Sequence, residues 1–344
     1  MAVTADPALL QTASMPAEWA PHAACWMAWP CRAEVWGPHL DRVRGDYARV
    51  AQAIRRFEPV MMVARPQDAD EARRRCGPGI TIVPLPIDDS WLRDSGPTFL
   101  RLADGRLGAV AWRFNAWGGK YHPHDADAAA GGRIAVQTGA ILQNSALVAE
   151  GGALHVDGDG TLLTTESCLL NPNRNPGWSK AEIEAELQRR LGVRKVIWLP
   201  GDPAEDETDG HIDGLACFIR PGAAMIEVPQ GRDDPRYEVL TENRRALELA
   251  TDARGRRLEL LPIEEAHEAA AVGPRYCRSY INYYVANGGV VVPAYGTPGD
   301  QRARAAVARA FPDREVVLVD LGMIAFGGGG IHCITQQQPL VDAG

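Results

Sequence analysis

A cysteine near the end of the sequence stands where a nucleophile could meet a substrate. Four glycines, Gly327–Gly330, precede Ile331, His332 and Cys333. Glycines permit positive φ angles and a close approach of the backbone to a ligand. The cysteine just beyond them could therefore present a thiolate to a bound molecule. A glycine-rich turn that leads into an edge strand with a buried cysteine fits this segment equally well.

A second candidate pair combines an imidazole with a carboxylate. His211 and Asp213 are two positions apart, and residues i and i+2 of a strand point to the same face. On a strand, the two side chains would serve one pocket, the imidazole as acid or base and the carboxylate as an anchor for a cation. A zinc or iron site would need a third ligand, and no further histidine lies at ligand spacing.

Two more carboxylates are each followed by small residues. Glu150 precedes Gly151 and Gly152 at the predicted start of a strand, and Asp94 precedes a Ser-Gly-Pro turn. Each is a weak signal alone, because an aspartate before such a turn is ordinarily a turn cap.

Together, these side chains describe a site for a planar, cationic guanidinium group. Carboxylates accept the fork of guanidinium N–H groups in pairs. The thiolate is the reactive form of cysteine, and a cationic substrate would help to lower the pKa of the thiol. The residues therefore predict a cysteine-dependent hydrolase of a guanidino compound, with Cys333 as the nucleophile.

The composition is that of a globular protein, with 344 residues, 46% hydrophobic and 23% charged, and a net charge of -8. This charge disfavours nucleic acid as a partner, which requires basic patches. We see neither a secretory signal nor an apolar run near the ~20 residues of a membrane span, and we expect a cytoplasmic protein without a membrane partner. The seven cysteines form no C-x-x-C pair, which favours a reducing compartment. The six other than Cys333 are interpreted as small buried residues.

The elements that must position the candidate residues are helices alternating with β-hairpins. Apolar spacing and capping residues predict helices over 41–57, 179–191, 237–253 and 300–311. Turn chemistry predicts hairpins over 98–114, 153–165, 215–228 and 285–292. The candidate residues stand at the mouths of these hairpins, so a repeated β-β-α-β module would gather them around one centre. The spacing alone does not fix the number of modules.

The chain as a whole resembles the agmatine deiminase family, which is related to bacterial-type peptidylarginine deiminases. The matching stretches extend from about residue 15 to residue 339 and are very specific in combination. They are Met15–Trp19, Trp91–Pro97, Asn115–Tyr121, Glu150–Gly152, Asn171–Pro176, Thr208–Asp213, Ser279–Asn282 and Gly329–Gln337.

The resemblance implies an α/β fold, a five-bladed propeller of ββαβ modules known as the pentein fold. We expect a flexible tail over residues 1–14 and one catalytic domain over residues 15–344. No metal and no organic cofactor is implied. The sequence does not decide between a monomer and a homo-oligomer.

The resemblance also assigns roles to individual residues. Cys333 matches the family's nucleophile and His211 its general acid and base. Asp94 and Asp213 match the carboxylates that clasp the guanidinium, and Glu150 the carboxylate that orients the imidazole. Trp91 and Glu207 stand where the family places groups near the distal end of the substrate.

The implied reaction is hydrolysis of agmatine to N-carbamoylputrescine and ammonia through a covalent thiouronium on the cysteine, a step of polyamine biosynthesis. Deimination of another guanidino substrate, such as peptidyl-arginine, is the first alternative. An amidinotransferase would keep the fold and replace water by an amine. A catalytically silent protein that binds arginine-like ligands is the third, and the presence of every expected catalytic residue argues against it.

Overall fold

The computed structural model describes residues 13–271, 273 and 275–341. Residues 1–12, most of the predicted tail, lie outside the described residues. At the C-terminal end of the predicted tail, Ala13 is buried. Ser14 exchanges two backbone hydrogen bonds of 3.0 and 2.9 Å with Arg101. The last two residues of the predicted tail therefore pack against the folded chain.

The described residues form short strands and helices that alternate along the chain. The strands are β1 (His22–Ala28), β2 (Val60–Ala64), β3 (Ile80–Pro84), β4 (Thr98–Arg101), β5 (Leu107–Arg113), β6 (Ile141–Val148), β7 (His155–Val156), β8 (Thr161–Thr165), β9 (Lys195–Leu199), β10 (Ala216–Arg220), β11 (Ala223–Glu227), β12 (Glu259–Ile263), β13 (Tyr284–Ala286), β14 (Gly289–Ala294), β15 (Glu315–Asp320) and β16 (Thr335–Pro339). The α-helices are α1 (Ala33–Trp36), α2 (Leu40–Arg55), α3 (Ala69–Cys76), α4 (Leu92–Ser95), α5 (Ala116–Gly119), α6 (Asp125–Ala128), α7 (Ala130–Thr138), α8 (Glu166–Leu169), α9 (Lys180–Leu191), α10 (Tyr237–Leu249) and α11 (Gly299–Ala310).

The strands form five small sheets that repeat one pattern. In the sheet β7-β8-β9, β7 and β8 are antiparallel, and β9 returns parallel to β8 after helix α9. The sheets β4-β5-β6, β10-β11-β12 and β13-β14-β15 have the same antiparallel and parallel pairings. The predicted α/β class and ββαβ modules are therefore confirmed.

The fifth sheet joins the two ends of the chain. Strand β16 pairs antiparallel with β1, with Thr335 opposite Met27, and β1 continues parallel to β2 and β3. The last strand of the chain thus takes the position that the first strand of a hairpin takes in the other four modules.

The predicted helices and hairpins lie within a few residues of the observed ones. Helix α2 shows why: its apolar positions Val43, Tyr47, Val50 and Ile54 are all fully buried, as its period predicts. Helix α9 begins with the predicted capping box between Ser179 and Glu182. None of the helices in the described part of the chain is both long and apolar enough to cross a membrane.

Each module contributes one irregular segment to a common site. The segment that leads into the first strand of each module carries one polar group of interest: Asp94 before β4, Glu150 before β7, Asp213 before β10, Asn282 before β13 and Cys333 before β16. Corresponding segments of the repeated modules therefore supply three carboxylates, an amide and a thiol to a common centre.

Candidate active site

The thiol of Cys333 lies beside a carboxylate and an amide. Its Sγ is 3.6 Å from Asp213 Oδ2 and 3.2 Å from Asn282 Nδ2. The backbone N–H of Cys333 donates to Asn282 Oδ1 over 3.2 Å. Asn282 was not predicted to belong to the site, although it lies in the matching stretch Ser279–Asn282.

The glycine run before Cys333 packs against neighbouring side chains. A Cβ atom at Gly329 would lie 2.5 Å from the indole ring of Trp91, and one at Gly330 would lie 2.5 Å from Asn282 Oδ1. Both distances are far below van der Waals contact, so glycine is required there. Arg93 fixes the next residues, since its backbone N–H donates to Cys333 O over 3.1 Å and its Nε donates to His332 O over 3.2 Å.

His211 lies between two carboxylates. Its Nδ1 is 3.9 Å from Asp94 Oδ1 and its Nε2 is 3.5 Å from Glu150 Oε2. Burial lowers the pKa of His211, but the Asp94 carboxylate, together with Cys168 and Glu150, outweighs burial and raises it well above the usual value. The neighbouring carboxylates therefore favour the imidazolium form of His211, which can act as an acid.

The segment around His211 and Asp213 is not the predicted strand. It forms a turn of 3₁₀-helix over Ile212–Gly214, and β10 begins only at Ala216. The positive φ angles of Asp209 (60°) and Gly210 (79°) turn the chain just before it, a conformation that a strand does not contain. Both side chains nonetheless reach the same site.

Glu150 is fully buried and is held by a cation. Its Oε1 accepts a 2.7 Å hydrogen bond from Arg174 Nε, and Cys168 Sγ lies 3.8 Å from its Oε2. Burial raises the pKa of Glu150, but Arg174 and His211 lower it to about 2. Glu150 therefore stays charged. Its predicted position at the start of a strand is wrong, since a 3₁₀-helix over Gly151–Ala153 follows it and β7 begins at His155.

Asp94 is bonded to residues distant in sequence. Its Oδ1 accepts the backbone N–H of Gly152 over 3.0 Å, and its Oδ2 accepts Trp117 Nε1–H over 2.9 Å. These bonds orient the carboxylate within the site, in contrast to the local turn cap that is the ordinary role of such an aspartate. Burial raises the pKa of Asp94, and the carboxylates of Asp213 and Glu150 raise it further against the effect of His211.

Gly152 lies at the centre of the charged groups. A Cβ atom there would be 2.6 Å from His211 Nδ1, 2.9 Å from Asp94 Oδ1 and 3.0 Å from Asp213 Oδ2. The His211–Asp213 pair and Asp94, which were predicted from two separate motifs, thus converge on one point.

The free thiol is held in its neutral form. Burial raises the pKa of Cys333 well above the usual value, and the carboxylates of Asp213 and Asp94 raise it further. A cation placed between the carboxylates and the thiol would offset this repulsion and favour the thiolate.

A cleft of about 360 Å³ opens above Cys333. Trp91, Trp117 and Tyr121 line it, together with Asp94, and Glu207 lies along it. The two residues predicted for the distal end of a substrate, Trp91 and Glu207, therefore line the cleft that contains the thiol.

Glu207 already has polar neighbours in the free site. Tyr121 Oη donates to Glu207 Oε2 over 2.7 Å, and Arg275 Nε is 3.7 Å from Glu207 Oε1. Tyr121 and Arg275 were not predicted to belong to the site; Tyr121 ends the matching stretch Asn115–Tyr121.

One group of three potential metal ligands occurs among the described residues. Atoms of Glu150, Cys168 and His211 lie within 4.8 Å of one another. The guanidinium of Arg174 is already paired with Glu150, and its positive charge opposes a metal cation at this point. The group fits an ion pair of His211 and Glu150 better than a metal centre.

Comparisons with known proteins show the family of this chain. A family model described as Porphyromonas-type peptidyl-arginine deiminase matches residues 14–339. The agmatine deiminase of Pseudomonas aeruginosa (strain LESB58) is 42% identical over 349 residues, covering 94% of this chain and 95% of that protein. The structure of the agmatine deiminase of Enterococcus faecalis has a TM-score of 0.93 at 35% identity, covering 98% of this chain and 99% of that one.

A third relative carries a substitution at a cysteine. A cysteine-to-serine variant of the C. jejuni agmatine deiminase, solved with substrate bound, has a TM-score of 0.85 at 25% identity and covers 96% of this chain and 97% of that one. The family model, the sequence relative and both structures cover nearly the whole chain. The chain belongs to the Porphyromonas-type peptidyl-arginine deiminase family.

Proposed function

We propose that this chain hydrolyses agmatine to N-carbamoylputrescine and ammonia, with Cys333 as nucleophile. The observation that carries the proposal is the position of the Cys333 thiol, 3.6 Å from Asp213 at one end of a cleft that Asp94 also lines. Two buried carboxylates beside a thiol suit the bidentate binding of a guanidinium. The relatives named agmatine deiminase support the choice of substrate.

The cleft suits a guanidinium with an aliphatic chain and a distal ammonium. In the proposed complex, the guanidinium lies between Asp94 and Asp213. The methylene chain packs between aromatic walls, and the ammonium approaches Glu207 and displaces part of its contact with Arg275. Arginine fits less well, because its α-carboxylate would lie close to the Glu207 carboxylate. Peptidyl-arginine fits less well, because it lacks the distal ammonium that Glu207 would bind.

The first half-reaction forms the thiouronium. Binding of the guanidinium offsets the carboxylate charges, and the thiol of Cys333 releases its proton to solvent. The thiolate adds to the guanidinium carbon, and the protonated imidazole of His211 gives its proton to the departing nitrogen. Ammonia leaves, a C–S bond has replaced a C–N bond, and His211 is neutral.

The second half-reaction restores the thiol. Neutral His211 takes a proton from water, and the oxygen adds to the thiouronium carbon. The C–S bond then breaks, the electron pair returns to Cys333, and the sulfur takes up the hydroxyl proton as the neutral ureido product forms. Glu150 stabilises the imidazolium whenever His211 holds the proton, and Arg174 keeps Glu150 charged.

The cytoplasm is the proposed location. Its reducing conditions preserve a free thiol such as Cys333, which would be exposed to oxidation elsewhere.

Ammonia release is the test of this function. Purified protein is assayed in parallel with agmatine, arginine and a peptidyl-arginine ester, with water as the sole acceptor. The proposal predicts the highest kcat/KM for agmatine. Preference for the peptidyl ester would contradict the assignment of the substrate, and turnover that requires an added amine would indicate an amidinotransferase.

A further inference from the structure

A chain of buried polar side chains leads away from Asp213 to residues that do not line the cleft, and the proposed reaction does not use it. Asp213 Oδ2 lies 2.8 Å from His332 Nδ1, and His332 Nε2 lies 2.6 Å from Glu18 Oε1. Glu18, His332 and Asp213 are between 3% and 5% exposed. A single imidazole therefore bridges two buried carboxylates.

The two contacts determine the protonation of the bridge. A neutral imidazole offers one N–H donor and one acceptor, whereas an ionised carboxylate only accepts. A carboxylate oxygen lies at each ring nitrogen of His332. The unprotonated nitrogen of a neutral ring would therefore point its lone pair at one of these two oxygens. The geometry is satisfied when His332 is an imidazolium that donates at both ends.

The surrounding charges agree with this state. Arg93 Nη1 is 3.4 Å and His155 Nε2 is 3.5 Å from the Glu18 carboxylate. His155 is the neutral tautomer with the proton on Nε2, because its Nδ1 accepts the backbone N–H of Phe218 over 3.2 Å. Glu18, Asp213, Arg93 and His332 are then two anions and two cations.

The pKa directions follow the same pattern. Burial and Arg93 lower the pKa of His332, but Glu18 and Asp213 outweigh them and raise it above the usual value. Burial raises the pKa of Asp213, but His332 lowers it below the usual value. His332 thereby favours the ionised form of Asp213.

The same residue fixes the nucleophile. His332 directly precedes Cys333, and its backbone N–H donates to Asn282 O over 3.1 Å. Its side-chain bond holds Asp213 Oδ2 and leaves Oδ1 without a hydrogen bond from any side chain in the part of the chain that the structure describes. His332 therefore links the carboxylate anchor and the nucleophile in one rigid unit.

We propose that His332, held as an imidazolium by Glu18, is a positioning residue that keeps Asp213 ionised and oriented beside Cys333 and so sets the affinity of the site for a guanidinium. The inference rests on the proposed function, whose substrate it uses as a probe. It assigns roles to Glu18 and His332, which do not reach the reacting atoms.

Two variants of His332 separate the two bonds. His332→Asn retains a donor near the position of Nδ1, toward Asp213, whereas His332→Gln places its donor near Nε2, toward Glu18. We expect His332→Gln to raise KM for agmatine by about tenfold or more, as the loss of a hydrogen bond to a charged group implies. His332→Asn should raise KM less, and kcat should change less than KM in both. Glu18→Gln, which is nearly isosteric, should also raise KM.

His22→Gln is the matched control, because it likewise moves the donor away from the position of Nδ1. His22 is another buried histidine paired with a carboxylate, its Nδ1 3.1 Å from Glu58 Oε2, and it lies outside the site. We expect a lower Tm and an unchanged KM. If the His332 and Glu18 variants lose activity only in proportion to their loss of Tm, as a merely structural pair would, the proposal is overturned.

A direct readout does not depend on turnover. The ¹⁵N chemical shifts of the His332 ring in the wild-type protein should report both nitrogens as protonated at neutral pH, and a neutral ring would overturn the proposal. Calorimetry then measures the Kd of agmatine in a Cys333→Ser background, with and without His332→Gln. A weaker Kd on addition of His332→Gln supports the proposal, and an unchanged Kd contradicts it.

The two hypotheses fail in different ways. A wild-type protein that binds agmatine but releases no ammonia would refute the proposed function, while the ring shifts and the Kd values would still decide the role of His332. A wild-type protein that is active on agmatine, with a His332→Gln variant of unchanged KM, would refute only the role of His332.

Discussion

The thiol of Cys333 is surrounded by the carboxylates that a guanidinium requires and that a thiolate opposes. Asp213 and Asp94 both raise the pKa of this thiol, so the neutral thiol is favoured in the free protein. Charge neutralisation by the substrate then couples binding to activation of the nucleophile. A thiol that ionises only beside a cation is also protected from neutral electrophiles.

Alkylation tests this coupling. Because the pKa of Cys333 is raised, the thiolate fraction at pH 7 is small and grows as the pH rises toward and beyond the raised value. We expect a neutral reagent such as iodoacetamide to alkylate Cys333 slowly at pH 7 and faster with every step in alkaline pH. A cationic amidine reagent with the same leaving group should alkylate Cys333 faster than iodoacetamide does at pH 7. Peptide mass spectrometry locates the adduct, and equal rates for the two reagents would refute the coupling.

Glu207 is proposed to bind the distal ammonium of agmatine. We expect Glu207→Gln to raise KM for agmatine by about tenfold, since a charge-assisted hydrogen bond is lost, with a smaller change in kcat. Butylguanidine, which lacks the ammonium, provides the control. The KM for butylguanidine should be the same in the wild-type protein and in Glu207→Gln. If the substitution raised the KM for butylguanidine as much as the KM for agmatine, Glu207 would act on the cleft as a whole.

At the scale of elements, the segments that lead into the first strand of each module carry the chemistry. Their conformations depend on distant partners: Gly152 donates to Asp94, 58 positions away, and His332 lies against Asp213, 119 positions away. Helices and hairpins were predicted correctly because apolar period and turn residues are local signals. His211, Asp213 and Glu150 were assigned to the site but to the wrong local structure, because no local pattern encodes those long-range contacts.

Asn282, Arg174 and Trp117 show a second limit of the sequence. Each lies in a stretch that resembles the family, yet none has a residue type that marks chemistry by itself. Their roles come from their positions. The amide of Asn282 contacts the Cys333 thiol, the guanidinium of Arg174 binds Glu150, and the indole N–H of Trp117 donates to Asp94. Such supporting contacts become visible only when the modules are assembled.

Gly152 tests the convergence of these segments. We expect Gly152→Ala to lower kcat/KM by about a hundredfold or more, since displacement of reacting groups by about 1 Å has effects of that size. The added methyl group would collide with His211, Asp94 and Asp213. Gly132→Ala in helix α7 is the control, because its Cβ would meet only Leu142, at 3.7 Å. Equal activity of the two variants would refute the predicted crowding.

At the scale of the whole molecule, the fold ties the nucleophile to the closure of the chain. Cys333 stands two residues before β16, and β16 pairs with β1. The nucleophile is thus held in place by a sheet that neither end of the chain can form alone.

Truncation tests this closure. A chain that ends at Ile334 lacks β16 and leaves one edge of β1 unpaired, although it retains Cys333. We expect loss of a cooperative thermal transition and of ammonia release. A chain that ends at Val341 keeps β16 and should match the full chain in Tm and kcat. Normal activity of the shorter chain would show that closure is dispensable.

The most direct test of the central claim is a single-turnover reaction with agmatine, quenched in acid and analysed by mass spectrometry. We expect a transient adduct on Cys333 with the mass of agmatine less one ammonia, formed together with the first ammonia and consumed as N-carbamoylputrescine appears. Cys333→Ala should give neither adduct nor product. Full turnover by Cys333→Ala, or an adduct on a different residue, would contradict the account.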